Sequence, residues 1–339
     1  MSFSFINEFI VAILIGITQG LTEFLPISST AHLDLLSRLL LNGSDFGLSA
    51  SNIIQFGTTL ALLIYFKKDL KPIFSQLVKI STNPSDFNNW LSDTKTWWKI
   101  QSKSLFHVPK VNSSIFTNKF KENLLITQLI LGTIPIAIMG LLLQKYVDNN
   151  MRLPGFVAIF LALGAGLLIL AENLSKKFNV ESSEKNINEL NPLTLTKDQV
   201  ILIGVFQSLA IFPGMSRSGS TISGSLLVGL NRPQAARFAF LVGIPALLLS
   251  SIKDFVEILL KAIPQFHFLP DERFWTTSKV DFSLSAILVA TLLSFIVGYS
   301  CLKWLINYIS KTDTRYFSYY RLFLSLVILL WIVLSGVFR

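Results

Sequence analysis

Charged residues are scarce in this chain, and their scarcity excludes most classes of soluble protein. Asp, Glu, Lys and Arg make up 14% of the 339 residues, whereas hydrophobic residues make up 51%. A soluble domain of this size would carry roughly a quarter charged residues. Because the excess apolar surface has to face lipid, the composition predicts a polytopic membrane protein.

The chain has a single cysteine, and its first apolar run does not follow the pattern of a signal peptide. Cys301 is the single cysteine, which excludes a disulfide framework and a cysteine-based metal site. Asn7 and Glu8 precede the first apolar run, where a signal peptide would have basic residues, so we expect this segment to belong to the mature protein. The net charge of +9 fits basic loops beside anionic lipids better than it fits nucleic acid. We therefore expect membrane lipids as partners and no nucleic acid.

Long apolar runs predict six membrane crossings. Five of the runs are uncharged throughout, and the sixth continues past two charged residues to Leu260. The predicted crossings are Gly47–Phe66, Asn123–Gln144, Leu153–Ala171, Phe238–Ile252 with its continuation, Phe282–Leu302 and Leu322–Phe338.

Two further apolar runs, Phe9–Thr22 and Gln199–Phe212, are too short to cross a membrane. As a helix each would extend about 21 Å, against a hydrocarbon core of about 30 Å. Each run is followed by a proline, a Ser-rich stretch and a second short apolar piece, Leu33–Leu41 or Ile222–Leu230. This pattern predicts two re-entrant helical hairpins, whose broken backbone has to be enclosed by protein or line a wet cavity.

The two hairpins resemble each other at an offset of 188 residues. This offset aligns Gln19 with Gln207 and Ser28 with Ser216. Each hairpin is followed by three predicted crossings, and because three is odd the second half is expected to be inverted. We therefore predict an all-α fold in which residues 1–339 form one membrane domain. Its inverted repeats cover about residues 1–171 and 198–339.

The distribution of Lys and Arg predicts the orientation in the membrane. Basic residues concentrate in Lys67–Lys121, Glu172–Asp198 and Lys303–Arg321, three alternate loops of the six-crossing arrangement. Such loops are usually cytoplasmic, so residues 67–122 are expected to form a cytoplasmic or interfacial loop. Both termini then face outward, and the polar stretch Glu181–Asn191 is expected to be mobile.

The first hairpin turn carries a carboxylate, hydroxyls and an imidazole at the depth of an apolar run, where polar groups usually serve a function. Gln19 and Glu23 are four residues apart and share one helix face, so both are predicted to bind a hard cation such as Mg²⁺ or Ca²⁺. His32 follows Ser29 by three residues and could act on a nearby hydroxyl or a water molecule as general base. Ser29 could instead begin the next helix as a cap.

The second turn, Pro213–Thr221, combines glycines, hydroxyls and an arginine. Its glycines allow backbone amides to turn inward, and an N-terminal helix end favours anions. The guanidinium of Arg217 can bind two phosphate oxygens at once. Together the two turns predict a site that binds and cleaves a phosphate group.

With these residues in place, the chain resembles the undecaprenyl-diphosphate phosphatase family of the bacitracin-resistance type. The first family motif, E/Q-x-x-x-E running into F-L-P-x-S-S-T-x-H, matches Gln19 through His32, and the second, P-G-x-S-R-S-G-x-T-I, matches Pro213 through Ile222. The resemblance implies removal of the terminal phosphate of a polyprenyl diphosphate lipid with a divalent cation. It also implies a bacterial plasma membrane location and an active site that opens to the outer, periplasmic face.

By motif position, the resemblance assigns roles to the residues of both turns. Catalytic roles fall to Glu23, Ser29, His32 and Arg217, with Ser29 and His32 as nucleophile and base or as groups that position water. Gln19 and Glu23 would bind the metal. Substrate would be bound by Ser28, Thr30, Gly214, Ser216, Ser218 and Thr221.

The chain departs from the family pattern at three places. Gln19 stands where many members have Glu, Ala31 replaces a common Gly, and the stretch Ser81–Phe120 is longer than usual. The sequence leaves the oligomeric state open, a homodimer included. A lipid-carrier transporter is the alternative class, since inverted repeats are common among transporters. A phosphatidate-type phosphatase is disfavoured because its Pro-Ser-Gly-His element is absent.

Overall fold

The computed structural model describes residues 5–40, 48–99, 105–106, 117–178, 195–262 and 283–335. Within these ranges the chain is helical and forms no β-strand, so the all-α prediction is confirmed. The polar stretch Glu181–Asn191 lies outside the described residues, as do His107 and His267, the two histidines to which the sequence assigns no role. The helices are α1 (Phe5–Thr22), α2 (Ser29–Leu40), α3 (Leu48–Tyr65), α4 (Lys67–Thr82), α5 (Pro84–Trp98), α6 (Asn118–Asn150), α7 (Pro154–Phe178), α8 (Lys197–Ser208), α9 (Arg217–Leu227), α10 (Arg232–Ala262), α11 (Leu284–Ile309) and α12 (Arg315–Ser335).

Five of the described helices, α6, α7, α10, α11 and α12, are long and apolar enough to cross a membrane. They overlap five of the six predicted crossings, and the chain is a multi-pass membrane protein. The sixth prediction, Gly47–Phe66, falls on α3. The apolar part of α3 that the structure describes, Ile54–Tyr65, is shorter than a span.

Two predicted loops are shorter than the sequence indicated. α11 continues to Ile309 and α12 already begins at Arg315, so the predicted loop Lys303–Arg321 is wrong at both ends. α7 likewise continues past Glu172, which is fully buried and accepts hydrogen bonds from Arg232 and Thr314. A single ionised side chain does not end a helix when the protein interior supplies its partners.

The long basic segment after α3 contains a folded pair of helices. α4 and α5 pack against each other and against α6. Asn83 caps α5 by accepting a hydrogen bond from the Ser85 amide at 3.0 Å. Trp97 is buried, and its indole Nε1 donates to the Leu195 carbonyl at 2.7 Å. These contacts hold much of the segment 67–122 against the membrane helices.

The helices before the two turns make matching contacts. α1 packs against α11, and α8 packs against α6. A Cβ on Gly16 would lie 2.4 Å from the Ala290 carbonyl oxygen, and a Cβ on Gly204 would lie 2.6 Å from the Gly132 carbonyl oxygen. Gly16 and Gly204 are aligned by the 188-residue offset. In both cases the missing side chain lets two backbones approach closely, which brings the turn that follows into the interior.

We predict that Gly16→Ala destabilises the protein by about 1–3 kcal/mol, since the added methyl group meets backbone that cannot move away. Gly166 provides the control, because a Cβ there would have no heavy atom within 4 Å. Gly166→Ala is expected to be neutral or stabilising by up to about 1 kcal/mol. Thermal unfolding in detergent measures both effects, and equal midpoints for the two variants would contradict the packing account.

Candidate active site

Both turns contain a serine with an unusual backbone conformation. Ser28 has φ 73° and Ser216 has φ 66°, and they are the only non-glycine residues with positive φ in the described chain. Each caps the following helix, because Oγ of Ser28 accepts from the Ala31 amide at 3.4 Å and Oγ of Ser216 accepts from the Gly219 amide at 3.2 Å. Such a conformation costs on the order of 1–3 kcal/mol and often occurs at functional sites. The serine hydroxyl offsets part of this cost by capping.

The Glu23 carboxylate is the centre of the first turn. Its Oε2 accepts from Nε2 of Gln19 at 3.0 Å and from Oγ of Ser29 at 2.7 Å. Its Oε1 accepts from Nη2 of Arg217 at 3.0 Å. Glu23 is 8% exposed and Gln19 is 2% exposed. Residues 194 positions apart in the chain therefore form a single buried ionic cluster.

A second contact joins the two turns beside the ion pair. Oγ of Ser218 donates to the Leu25 carbonyl at 3.1 Å, and Nη1 of Arg217 donates to the Gly243 carbonyl at 3.3 Å. The side chains of Arg217 and Glu23 are 15% and 6% exposed. Removing one partner of a buried pair costs about 3–5 kcal/mol, because the remaining charge has no compensation. The ion pair therefore couples the conformations of the two turns.

His32 has different partners from those the sequence suggested. Its Nδ1 lies 2.7 Å from the Ser28 carbonyl oxygen, and its Nε2 lies 2.7 Å from the hydroxyl of Tyr320 on α12. Ser29 donates to Glu23 instead, so the structure does not form the expected contact between the imidazole and that hydroxyl. Sequence reasoning missed Tyr320, since nothing in the sequence distinguishes it from Tyr319.

The remaining predicted residues differ in burial and in their contacts. Thr221 and Ser216 are buried and have partners in their own helix, because Thr221 donates to the Arg217 carbonyl at 2.7 Å and Ser216 serves as the cap. Thr30 is exposed on α2. Gly214 has φ 104°, and a Cβ there would lie 2.5 Å from the Val157 carbonyl oxygen, so this turn requires glycine.

Arg321 is a buried arginine behind the second turn that sequence reasoning assigned to a loop. It is fully buried, and its Nη2 donates to the carbonyls of Gly214 at 3.0 Å and Met215 at 2.8 Å. Within the part of the chain that the structure describes, its Nε and Nη1 have no hydrogen-bond partner. A Cβ on Gly219 would lie 3.1 Å from Nη1, so the unpaired donors lie beside the N-terminus of α9. A buried guanidinium of this kind makes the local potential positive and favours an anion nearby.

The donors in the first turn fit a cation that is held largely by its substrate. Among the described residues there is no group of three or more His, Cys, Asp or Glu that could hold a metal. The available ligands are the Glu23 carboxylate and the amide oxygen of Gln19, whose Nε2 already donates to Glu23. Mg²⁺ is commonly bound by one or two carboxylates together with water and substrate phosphates. The donor set matches that mode of binding.

Comparisons with known proteins identify the family of this chain. The family model described as bacitracin resistance protein BacA matches residues 12–327. The chain belongs to this family. A protein named undecaprenyl-diphosphatase from Chloroherpeton thalassium is 34% identical over 95% of this chain and 96% of its own length.

Two further relatives carry the same name and cover most of both chains. The protein from Micrococcus luteus is 32% identical over 93% of this chain and 93% of its own. The protein from Mycobacterium marinum is 31% identical over 93% of this chain and 92% of its own. Both turns of the site lie inside the matched region of the family model.

We predict that Glu23 and Arg217 are energetically coupled. Glu23→Gln and Arg217→Met should each lower the free energy of unfolding by about 3 kcal/mol, because each leaves the other charge buried and unpaired. The double variant should lose less than the sum of the two, with a coupling of at least about 1 kcal/mol. Denaturant unfolding in detergent measures the cycle, and additive losses would mean that the ion pair does not form.

Proposed function

We propose that this protein hydrolyses undecaprenyl diphosphate to undecaprenyl phosphate and inorganic phosphate, and so recycles the lipid carrier of cell-wall synthesis. The observation that carries the proposal is the contact between Glu23 and Arg217, which brings the two motif-bearing turns into one buried cluster. Family membership and the shared name of the relatives support the same activity. The site combines a carboxylate, a hydroxyl, an imidazole and guanidinium groups, which can supply a nucleophile, a base and positive charge for phosphate transfer.

Two arginines support binding of the diphosphate. Arg217 offers a planar fork of donors that matches phosphate oxygens, and one of its nitrogens, Nη2, already pairs with a carboxylate oxygen of Glu23. The unpaired donors of Arg321 lie behind the same turn. These groups would stabilise the negative charge that develops on the phosphate oxygens in the transition state.

Each candidate for the attacking oxygen has a base in the site. Oγ of Ser29 donates to Glu23 at 2.7 Å, so the carboxylate can take the proton when Ser29 attacks the terminal phosphorus. A water molecule would give its proton to Nε2 of His32. In either case the bond from the terminal phosphorus to the bridging oxygen breaks, and undecaprenyl phosphate leaves. After attack by Ser29, water then hydrolyses the phosphoserine and releases inorganic phosphate. A bound Mg²⁺ or Ca²⁺, held by Glu23, Gln19 and the substrate, would offset charge on the diphosphate.

The proposal includes an arrangement of six crossings and two re-entrant hairpins in two inverted repeats. The matching backbone conformations of Ser28 and Ser216 support this arrangement, as do the matching close contacts of Gly16 and Gly204. In a bacterial plasma membrane the site would open to the outer, periplasmic face. The polyprenyl tail would lie in lipid between helices. Neither a monomer nor a homodimer is favoured by the contacts described.

The segment 67–122 would then lie on the cytoplasmic surface of the membrane. α4 exposes Phe74, Leu77 and Val78, with Lys71 and Lys79 also exposed. A helix with exposed apolar and basic residues suits the boundary between lipid tails and anionic headgroups. This placement follows from the distribution of Lys and Arg together with the exposed residues of α4.

Purified protein should release inorganic phosphate from undecaprenyl diphosphate, and a chelator should stop the release. Glu23→Ala and Arg217→Ala should each lower kcat/KM at least about a hundredfold, because each removes a charge that contacts the phosphate or its cation. Arg38→Ala is the matched control, since Arg38 lies on α2 and pairs with Asp34. Phosphate-release assays with detergent-solubilised protein measure all three variants.

Two outcomes of this assay would contradict the proposal. Binding of the lipid without phosphate release would favour a transporter, which needs neither a general base nor a metal. Full activity in Glu23→Ala or Arg217→Ala would refute the roles assigned to these residues. Trapping of a phosphorylated Ser29 would distinguish attack by serine from attack by water.

Orientation is tested by cysteine labelling in intact cells. Cys301 is buried, so Cys301→Ser gives a background for single cysteines placed at exposed positions. We predict that Asn149→Cys, at an exposed position in the last turn of α6, reacts with a membrane-impermeant maleimide, whereas Asn88→Cys on α5 reacts only after the cells are permeabilised. The opposite pattern would invert the proposed orientation.

A further inference from the structure

The two nitrogens of His32 have partners of different chemistry. Nδ1 lies 2.7 Å from the Ser28 carbonyl oxygen, which can only accept, so Nδ1 must carry the hydrogen. In the neutral imidazole Nε2 is then an acceptor, and the Tyr320 hydroxyl at 2.7 Å must donate to it. The backbone thus fixes the tautomer, and the tyrosine occupies the basic nitrogen.

Tyr320 also restricts the angle of the imidazole ring. The two ring planes are 10° from parallel, and their centroids are 5.6 Å apart. Tyr320 is 42% exposed, so water can approach the pair beside its hydroxyl. The tyrosine therefore orients the imidazole where Nε2 can exchange a proton with water.

The next residue of α12 contacts the other turn. Arg321 donates to the carbonyls of Gly214 and Met215, while Tyr320 donates to His32. Consecutive helix residues point in different directions, so adjacent residues can contact separate structures. One turn of α12 therefore sets the position of His32 relative to the phosphate-binding turn.

We propose that Tyr320 is a positioning residue for the hydrolysis, and that it holds Nε2 of His32 as the nitrogen that exchanges a proton with water at the substrate phosphate. This role rests on the proposed phosphatase function. The alternative is that Tyr320 only fills space beside α2, in which case its hydroxyl contributes nothing.

Tyr320→Phe keeps the ring and removes the hydroxyl. We expect kcat for undecaprenyl diphosphate to fall about tenfold while KM stays within about twofold. This loss is only a part of the rate enhancement that a general base supplies, because His32 itself is still present. The matched control is Tyr319→Phe, the exposed neighbour on the same helix, which should equal the unsubstituted protein. Unchanged kcat in Tyr320→Phe, or an equal loss in Tyr319→Phe, would overturn the proposal.

Nitrogen NMR tests the geometry without using activity. The chain has three histidines, so ¹⁵N-histidine labelling in lipid nanodiscs gives few signals, and His32→Asn identifies those of His32. We expect the signals of a neutral ring protonated on Nδ1. In Tyr320→Phe the Nε2 signal should move toward the value of a nitrogen without a hydrogen bond, while the Nδ1 signal stays.

An unchanged Nε2 signal in Tyr320→Phe would overturn the positioning role, whatever the activity. Absence of phosphate release by the unsubstituted protein would instead refute the phosphatase function, and the expected NMR change would still demonstrate the contact. The two failures are therefore distinguishable.

Discussion

The ion pair between Glu23 and Arg217 is the interaction on which the rest of the site depends. Each charge is buried in apolar surroundings, and each is compensated mainly by a residue from the other half of the chain. A carboxylate held in this way can give up its partner to a phosphate and then serve as base or cation ligand. The stability of the resting site and its ability to bind an anion thus have one physical origin.

The packing of the helices brings the charges of Glu23 and Arg217 into contact. Gly16 and Gly204 allow α1 and α8 to approach their neighbours closely, and each helix leads into a turn that reaches the interior. The conformations of Ser28 and Ser216 then direct the two following helices away from each turn. Strain at these positions is compensated by capping and by the contacts of Arg321 with the second turn.

Much of the fold and of the site could be predicted from the sequence. Apolar runs indicate membrane helices, and polar residues within such runs indicate a functional site. Glu23 and Arg217 were identified in this way, and the structure brings them together. The partners of His32 could not be predicted, since Tyr320 reaches it across 288 positions of the chain. Arg321 was assigned to a basic loop because sequence alone does not show where a helix begins when its first residues are polar.

An experimental structure with a non-hydrolysable polyprenyl diphosphate tests the central claim most directly. The account predicts that the terminal phosphate lies between the two turns, in contact with the guanidinium of Arg217, with its phosphorus close to Oγ of Ser29 and with the pair to Glu23 broken or bridged. A diphosphate bound elsewhere, beside an intact pair of Glu23 and Arg217, would contradict it.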